Sequence, residues 1–262
     1  MFKYPVCSLT HCFLFFFPSH QRKYISSLLT FDVSVNRMSG TIPTELGLLT
    51  DLEVMFLSEN RFIGSLPTEL LSLSNLSIFV GENTRFTGTV ATEYFSLPNL
   101  VQFWYPGNSF TGTIPTEVGL ATNLRALNLA ENRMTGPLPT ELGLLRYIEP
   151  LFFQDNSFSG SIPSEIALLL NLDVIQFSNN QLTSTIPSEI ATSLYAMSVF
   201  HVSNNNLEGN VESLVFLSPP LNVINVAGNN LLTGVVPDIW CNKSTARFDC
   251  SSTLCGCDCQ CN

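Results

Sequence analysis

The chain has 262 residues, 45% of them apolar and only 12% charged, so charge excess does not keep it disordered. Its 21 acids against 11 bases give a formal net charge of −10, which excludes the basic footprint of a nucleic-acid binder and opposes docking on an anionic membrane. No apolar run reaches the ~18–20 residues of a membrane-spanning helix.

Residues 1–24 come first. The stretch "VCSLTHCFLFFF" follows one lysine, Lys3, and reads as a degenerate secretion signal or an N-terminal extension. Residues 25–240 are repetitive. "GENTRFTGTVATEYFSLPNL" is followed by "GNSFTGTIPTEVGLATNL", nearly the same text. Asparagines mark the register: Asn36, Asn60, Asn83, Asn108, Asn132, Asn156, Asn180, Asn205 and Asn229, at steps of 23 to 25 residues. Five and three residues before each asparagine stand apolar residues, such as Met55 and Leu57, Ile78 and Val80, Phe103 and Tyr105. That alternation is a strand leading into a turn. A glycine usually follows four residues after the asparagine, then Ile-Pro or Leu-Pro. Two coils carry one residue more at this point: Thr84 or Arg85 after Asn83, and Asn230 or Leu231 after Asn229.

A fixed period in the twenties with L-x-x-L-x-L-x-x-N is a leucine-rich-repeat pattern. Each repeat is one coil of a solenoid, with its strand in a parallel sheet and its apolar side chains inward. The nine asparagines form a buried ladder, because an interior amide must find partners in neighbouring turns. The predicted fold is an α/β solenoid of nine repeats of ~24 residues. The segments "SGTIPTELG" and "TGPLPTELG" resemble the plant-type subclass of leucine-rich repeats, which includes receptor-kinase ectodomains, receptor-like proteins and polygalacturonase-inhibiting proteins. That resemblance implies a right-handed superhelix with the parallel sheet on its concave face, and no catalytic activity or cofactor. The tail, residues 241–262, looks like the cysteine-rich end of similar algal secreted repeat proteins.

No catalytic motif surrounds His11, His20 or His201. Glu45, Glu69, Glu93, Glu117, Glu141, Glu165 and Glu189 are one repeated residue, placed in a short convex-side helical turn that the preceding Thr or Ser caps. Cys241, Cys250, Cys255, Cys257, Cys259 and Cys261 read as a disulfide-stapled cap over the last coil rather than a metal site; their pairing is open among 15 possibilities. Asn75 and Asn242 fit the glycosylation acceptor pattern.

The concave sheet remains as the binding surface. Four residues before each asparagine, an outward lane reads Asp32, Phe56, Phe79, Trp104, Asn128, Phe152, Gln176, His201 and Asn225. The lane just before the asparagine includes Glu59, Glu82, Glu131 and Asp155. Aromatic anchors beside oriented acids suit a protein, peptide or polysaccharide ligand. Phe56, Phe79, Trp104, Phe152, Glu59, Glu82, Glu131 and Asp155 are the candidate site. The expected protein is an extracellular or cell-surface recognition module. The alternatives are an inhibitor of wall-degrading enzymes, a structural or adhesive surface protein without a single ligand, and a fragment of a receptor-kinase ectodomain.

Overall fold

The structure is a computed structural model and describes residues 27–216, 221–234 and 245–247. The segment 1–24, the six tail cysteines from Cys241 to Cys261, and Asn242 lie outside the described residues.

Every coil opens with a three-residue strand. The middle side chain of each points inward and is buried, as with Met55, Phe103, Leu127 and Ile175; its two neighbours face out. The strands Thr30–Asp32, Val54–Phe56, Ile78–Val80, Gln102–Trp104, Ala126–Asn128, Pro150–Phe152, Val174–Gln176, Val199–His201 and Val223–Asn225 stack in chain order into one parallel sheet. A tenth, Ala246–Arg247, pairs with the ninth. Part of the segment assigned by sequence to the cap therefore extends the sheet.

A second row of strands has no counterpart in the sequence pattern. After its ladder residue, each coil runs extended again. Ser39–Gly40, Arg61–Gly64, Arg85–Thr89 and Ser109–Thr111 form one parallel stack. Thr135–Pro137, Ser157–Gly160, Gln181–Thr185, Asn206–Asn210 and Leu231–Thr233 form another. The Arg133 and Thr135 N–H groups donate to Phe110 O and Gly112 O, which joins the two stacks. The Ile-Pro step then turns the chain into a five-residue 3-10 turn such as Thr44–Leu48 or Thr116–Leu120. The residue ahead of each such turn is proline, or Ala91 in the third coil, and no side chain caps it. The threonine and serine caps expected from sequence are thus absent, because these residues are already the first of the turn. Several bond instead to the next carboxylate, as Thr140 Oγ1 does to Glu141 at 3.2 Å. The coil with one more residue uses it here, where Ser188–Ser193 is a true α-helical turn.

The asparagine ladder carries the inter-coil bonding. Asn108 Nδ2 donates to Gly81 O of the preceding coil and to Tyr105 O and Pro106 O of its own, while Oδ1 accepts from Phe86 N–H and Thr84 Oγ1. Asn60, Asn132, Asn156, Asn180, Asn205 and Asn229 repeat this pattern. At the first coil, the Asn36 side-chain amide bonds, among the described residues, within its own turn, to Val33 O and Ser34 O, while its backbone N–H donates to Glu59 O of the next coil. Asn83 is the exception. It is exposed, has φ +51° and donates to Glu59 Oε1 at 2.7 Å. Thr84 takes the ladder place, 8% exposed, and donates to Asn108 Oδ1 at 2.5 Å. The third coil therefore carries no extra residue. Its register lies one residue later than the asparagine suggests.

That shift changes what faces inward. Phe79, not Ile78, is the buried centre of its strand, and Gly81, not Val80, is the inward residue after it. A glycine leaves a hole at that point. The ring of Tyr105 from the next coil fills it, since a Cβ on Gly81 would lie 2.4 Å from Tyr105 Cε1. Phe79 packs edge-on against Tyr105 at 5.1 Å and Phe103 at 5.9 Å. The last coil does hold an added residue. Leu231 is 58% exposed and Leu232 turns inward, one place later than in the other coils.

The ladder assignment has a direct test in urea melts. Asn108→Ala strips bonds from several buried backbone groups and should cost about 1–3 kcal/mol. Thr84→Val loses one bond and should cost about 1 kcal/mol. Asn83→Gly keeps the positive φ and should stay within about 0.5 kcal/mol of wild type. A large loss from Asn83→Gly with none from Thr84→Val would return Asn83 to the ladder.

Candidate functional site: an aromatic strip on the concave sheet

Strand pairing fixes the outward lane. Asp32 lies beside Phe56, Phe56 beside Val80, Val80 beside Trp104, and Trp104 beside Asn128. Phe152 follows, then Gln176, His201 and Asn225. Phe56, Trp104 and Phe152 are half-buried on this face, in agreement with the alternation of the sequence. Phe79 is not among them. It is fully buried, because the one-residue shift puts Val80 in its place.

The strip is continuous across Asn128. The Trp104 and Phe152 rings meet edge to face at 5.4 Å and cover that asparagine, which is 6% exposed. Asn128 Oδ1 is satisfied by Ala130 N–H at 2.9 Å. A second outward lane, one turn of the pleat earlier, adds half-buried Val54, Ile78, Gln102 and Ala126. The floor is thus largely apolar over about four strands, with Gln102 as its polar member.

The acids divide into two kinds. Glu82 lies beside the strip and accepts from Trp104 Nε1 at 3.2 Å, which fixes the indole plane. Glu59, Glu131 and Asp155 sit one residue before the ladder, in a rim lane with φ between +54° and +59°. Each rim residue donates its own N–H to the next coil, as Glu131 does to Gln154 O. The left-handed turn points the side chain to solvent. Asn83 and Asn179 share this rim and donate to Glu59 and Asp155 at 2.7 Å each. Sequence reasoning missed Val80 and Asn83. An unbroken step of 24 from Asn60 through residue 84 to Asn108 was the available signal.

At the far end of the lane, His201 Nε2 lies 2.8 Å from both Ser203 Oγ and Asn225 Nδ2. Burial pulls its pKa below the ordinary histidine value, with partial opposition from Asp155. Tyr105 is buried and its phenol pKa is pushed well up by desolvation, then by Tyr94. Its hydroxyl and Gln154 Oε1 have no hydrogen-bond partner among the described residues. No group of three or more metal-ligating side chains occurs among the described residues.

The stacked short strands, 3-10 turns and asparagine ladder define a leucine-rich-repeat solenoid. The family model for the Leucine Rich Repeat matches residues 123–145 and 171–193. Among solved structures, a TDR receptor is 31% identical over 87% of this chain, with a TM-score of 0.81. The plant peptide hormone receptor RGFR1, in complex with RGF2, is 28% identical over 86%, also at 0.81. The chain is a plant-type leucine-rich-repeat protein. It spans 39% and 36% of those two receptor chains. A plant ice-binding protein is 24% identical over 90% of this chain and 76% of its own, at 0.78, and at that identity shares the fold alone. No curated protein matches the chain.

His201 supplies a pH test. Its folded pKa lies below its unfolded value, so in the acid range the unfolded chain binds more protons, and stability should fall as pH drops below the unfolded value. Chemical denaturation at pH 7.5 and pH 5 should show this loss. His201→Gln should lose less stability between the two than wild type does; an equal loss would remove His201 as the cause.

Proposed function

We propose that the solenoid is a non-catalytic, extracellular recognition module that binds an extended peptide or protein segment along the concave strip. The observation that carries this reading is the half-exposed aromatic set Phe56, Trp104 and Phe152 in one lane, with the nearly buried Val80 between Phe56 and Trp104, bordered by Glu82 and the rim acids. A flat apolar floor with few rotatable groups gains contact area at low entropic cost. Its indole is already oriented by Glu82, so little freedom is lost on binding. An extended segment matches the strip because it presents alternate side chains to successive strands.

Two of the similar structures support a peptide ligand in kind: RGFR1 with RGF2, and the Arabidopsis receptor kinase HAESA with the peptide hormone IDA and the co-receptor SERK1, at 29% identity over 80% of this chain. The acidic border adds a preference. Glu59, Glu82, Glu131 and Asp155 favour a segment with basic residues beside its apolar ones, and such attraction speeds encounter.

Random peptides displayed on phage and selected on the purified protein should yield saturable binders that carry apolar and basic residues. Trp104→Ala should weaken them by about 2 kcal/mol or more with little change in melting temperature. Phe79→Ala should instead destabilise the fold by about 3–5 kcal/mol, since its ring is core. Undiminished affinity in Trp104→Ala would refute the strip as the site. Inhibition of a wall-degrading hydrolase on mixing, with no peptide selected, would favour the inhibitor role.

A further inference from the structure

The second row of strands has an outer face that the concave strip does not use. Residues three and five places after the ladder point outward there. They are Thr87 and Thr89 in the third coil, Thr111 and Thr113 in the fourth, and Thr183 and Thr185 in the seventh, all exposed. The sixth coil places Ser159 and Ser161 at the same two points. Pro137 and Ile63 interrupt the series, while Thr135 and Ser65 beside them keep it. Thr89 pairs across the strands with Thr111, and Thr87 with Ser109. Hydrogen bonds from Arg133 and Thr135 to the preceding coil carry the array over the join between the two stacks.

The array is regular in two directions. Neighbouring strands lie ~4.8 Å apart, and alternate residues along one strand ~6.7 Å. It is also locked. In most coils the residue four places after the ladder is a glycine with positive φ (Ser184 in the seventh), and at Gly112, Gly136 and Gly209 the γ-methyl of the previous coil's threonine occupies the space that a side chain would fill. A Cβ on Gly112 would lie 2.8 Å from Thr89 Cγ2, one on Gly136 2.6 Å from Thr113 Cγ2, and one on Gly209 2.7 Å from Thr185 Cγ2. Seating the methyl fixes χ1 of Thr89, Thr113 and Thr185, and Thr111 Oγ1 is held by donating to Gly88 O at 3.2 Å, so these hydroxyls each have one place relative to the sheet.

A locked lattice of methyl and hydroxyl groups gains little from liquid water. A hydroxyl there exchanges one water hydrogen bond for another. A ligand gains from the whole array only if its own atoms repeat at the same intervals. Among the described residues no aromatic ring stands at these outward positions, so the face offers no stacking platform for a sugar ring. Charge is confined to its borders, at Arg37, Arg61, Arg85 and Arg133 along one edge and Glu208 towards the end. Both intervals are close to oxygen repeats on the prism faces of hexagonal ice. We propose that this face is an ice-binding surface, with ordered water as its ligand. It lies apart from the concave strip and stands or falls independently of peptide binding.

The purified full chain tests this directly. Wild type should show a thermal hysteresis gap and faceted crystal growth, and fluorescently labelled protein should coat a growing ice hemisphere on prism faces. Thr111→Lys and Thr87→Lys each place a charge in the array and should abolish the gap while the melting temperature holds. Should Thr111→Lys fail to fold, Thr87→Lys decides. Trp104→Ala should retain the full gap. A wild-type chain that shows no hysteresis and stays out of the ice overturns the proposal. So does a gap that survives both lysine variants, or one lost equally in Trp104→Ala.

Discussion

One buried amide per coil sets the terms for everything else in this molecule. An interior side-chain amide that lacks partners costs about as much as several good contacts gain, so each ladder residue must reach both its own turn and its neighbour's. Asn132 does this through Tyr105 O of the coil before and Leu129 O and Ala130 O of its own. Its Oδ1 also takes the Phe110 N–H. The ladder therefore fixes the rotation of every coil against the next. Hydrophobic burial alone would tolerate a slip, because the inward residues are interchangeable leucines, isoleucines and phenylalanines.

Two consequences reach the surface. Bringing the amide inward requires the residue before it to take a left-handed conformation. That conformation recurs from Val35 to Gly228 and throws the rim side chains outward. The acids of the concave border are thus by-products of the ladder's geometry. The other consequence is rigidity. Trp104 and Phe152 stand on strands whose ends are pinned by Asn108 and Asn156, and their rings close over an asparagine that is itself satisfied.

Period and residue type make the solenoid legible in the amino-acid sequence, because nine turns in register have no other simple explanation. The third coil shows where that reading fails. Asn83 has the right chemistry for the ladder and stands next to the true position, where Thr84 does the same work with a hydroxyl. Taking residue identity over spacing moves Phe79 to the surface and hides Val80. The second row of strands is illegible for another reason. Its core contribution is a single residue per coil, such as Phe86 or Phe110, flanked by glycine and threonine, which reads as a turn rather than a strand. The concave aromatics are legible in part, because alternation places them. Their edge-to-face closure over Asn128 depends on rotamers that no sequence pattern encodes.

The convex turns control the shape of the whole. Gly47 and Gly143 let the next coil approach so closely that a Cβ would lie 2.2 Å from Glu69 O and 2.6 Å from Glu165 O. Where Leu71 stands at that point instead, the outer turns of the second and third coils are held further apart. The inner strands keep their spacing, because hydrogen bonds fix it. A wider back over a fixed front is a sharper bend. The convex turns are therefore not evenly spaced, and the widest step lies between Thr68–Ser72 and Thr92–Ser96. Exchanging Gly47 or Gly143 for a larger residue would widen the back at that turn, as a thicker vertebra bends a spine, and leave the hydrogen bonds of the concave sheet in place.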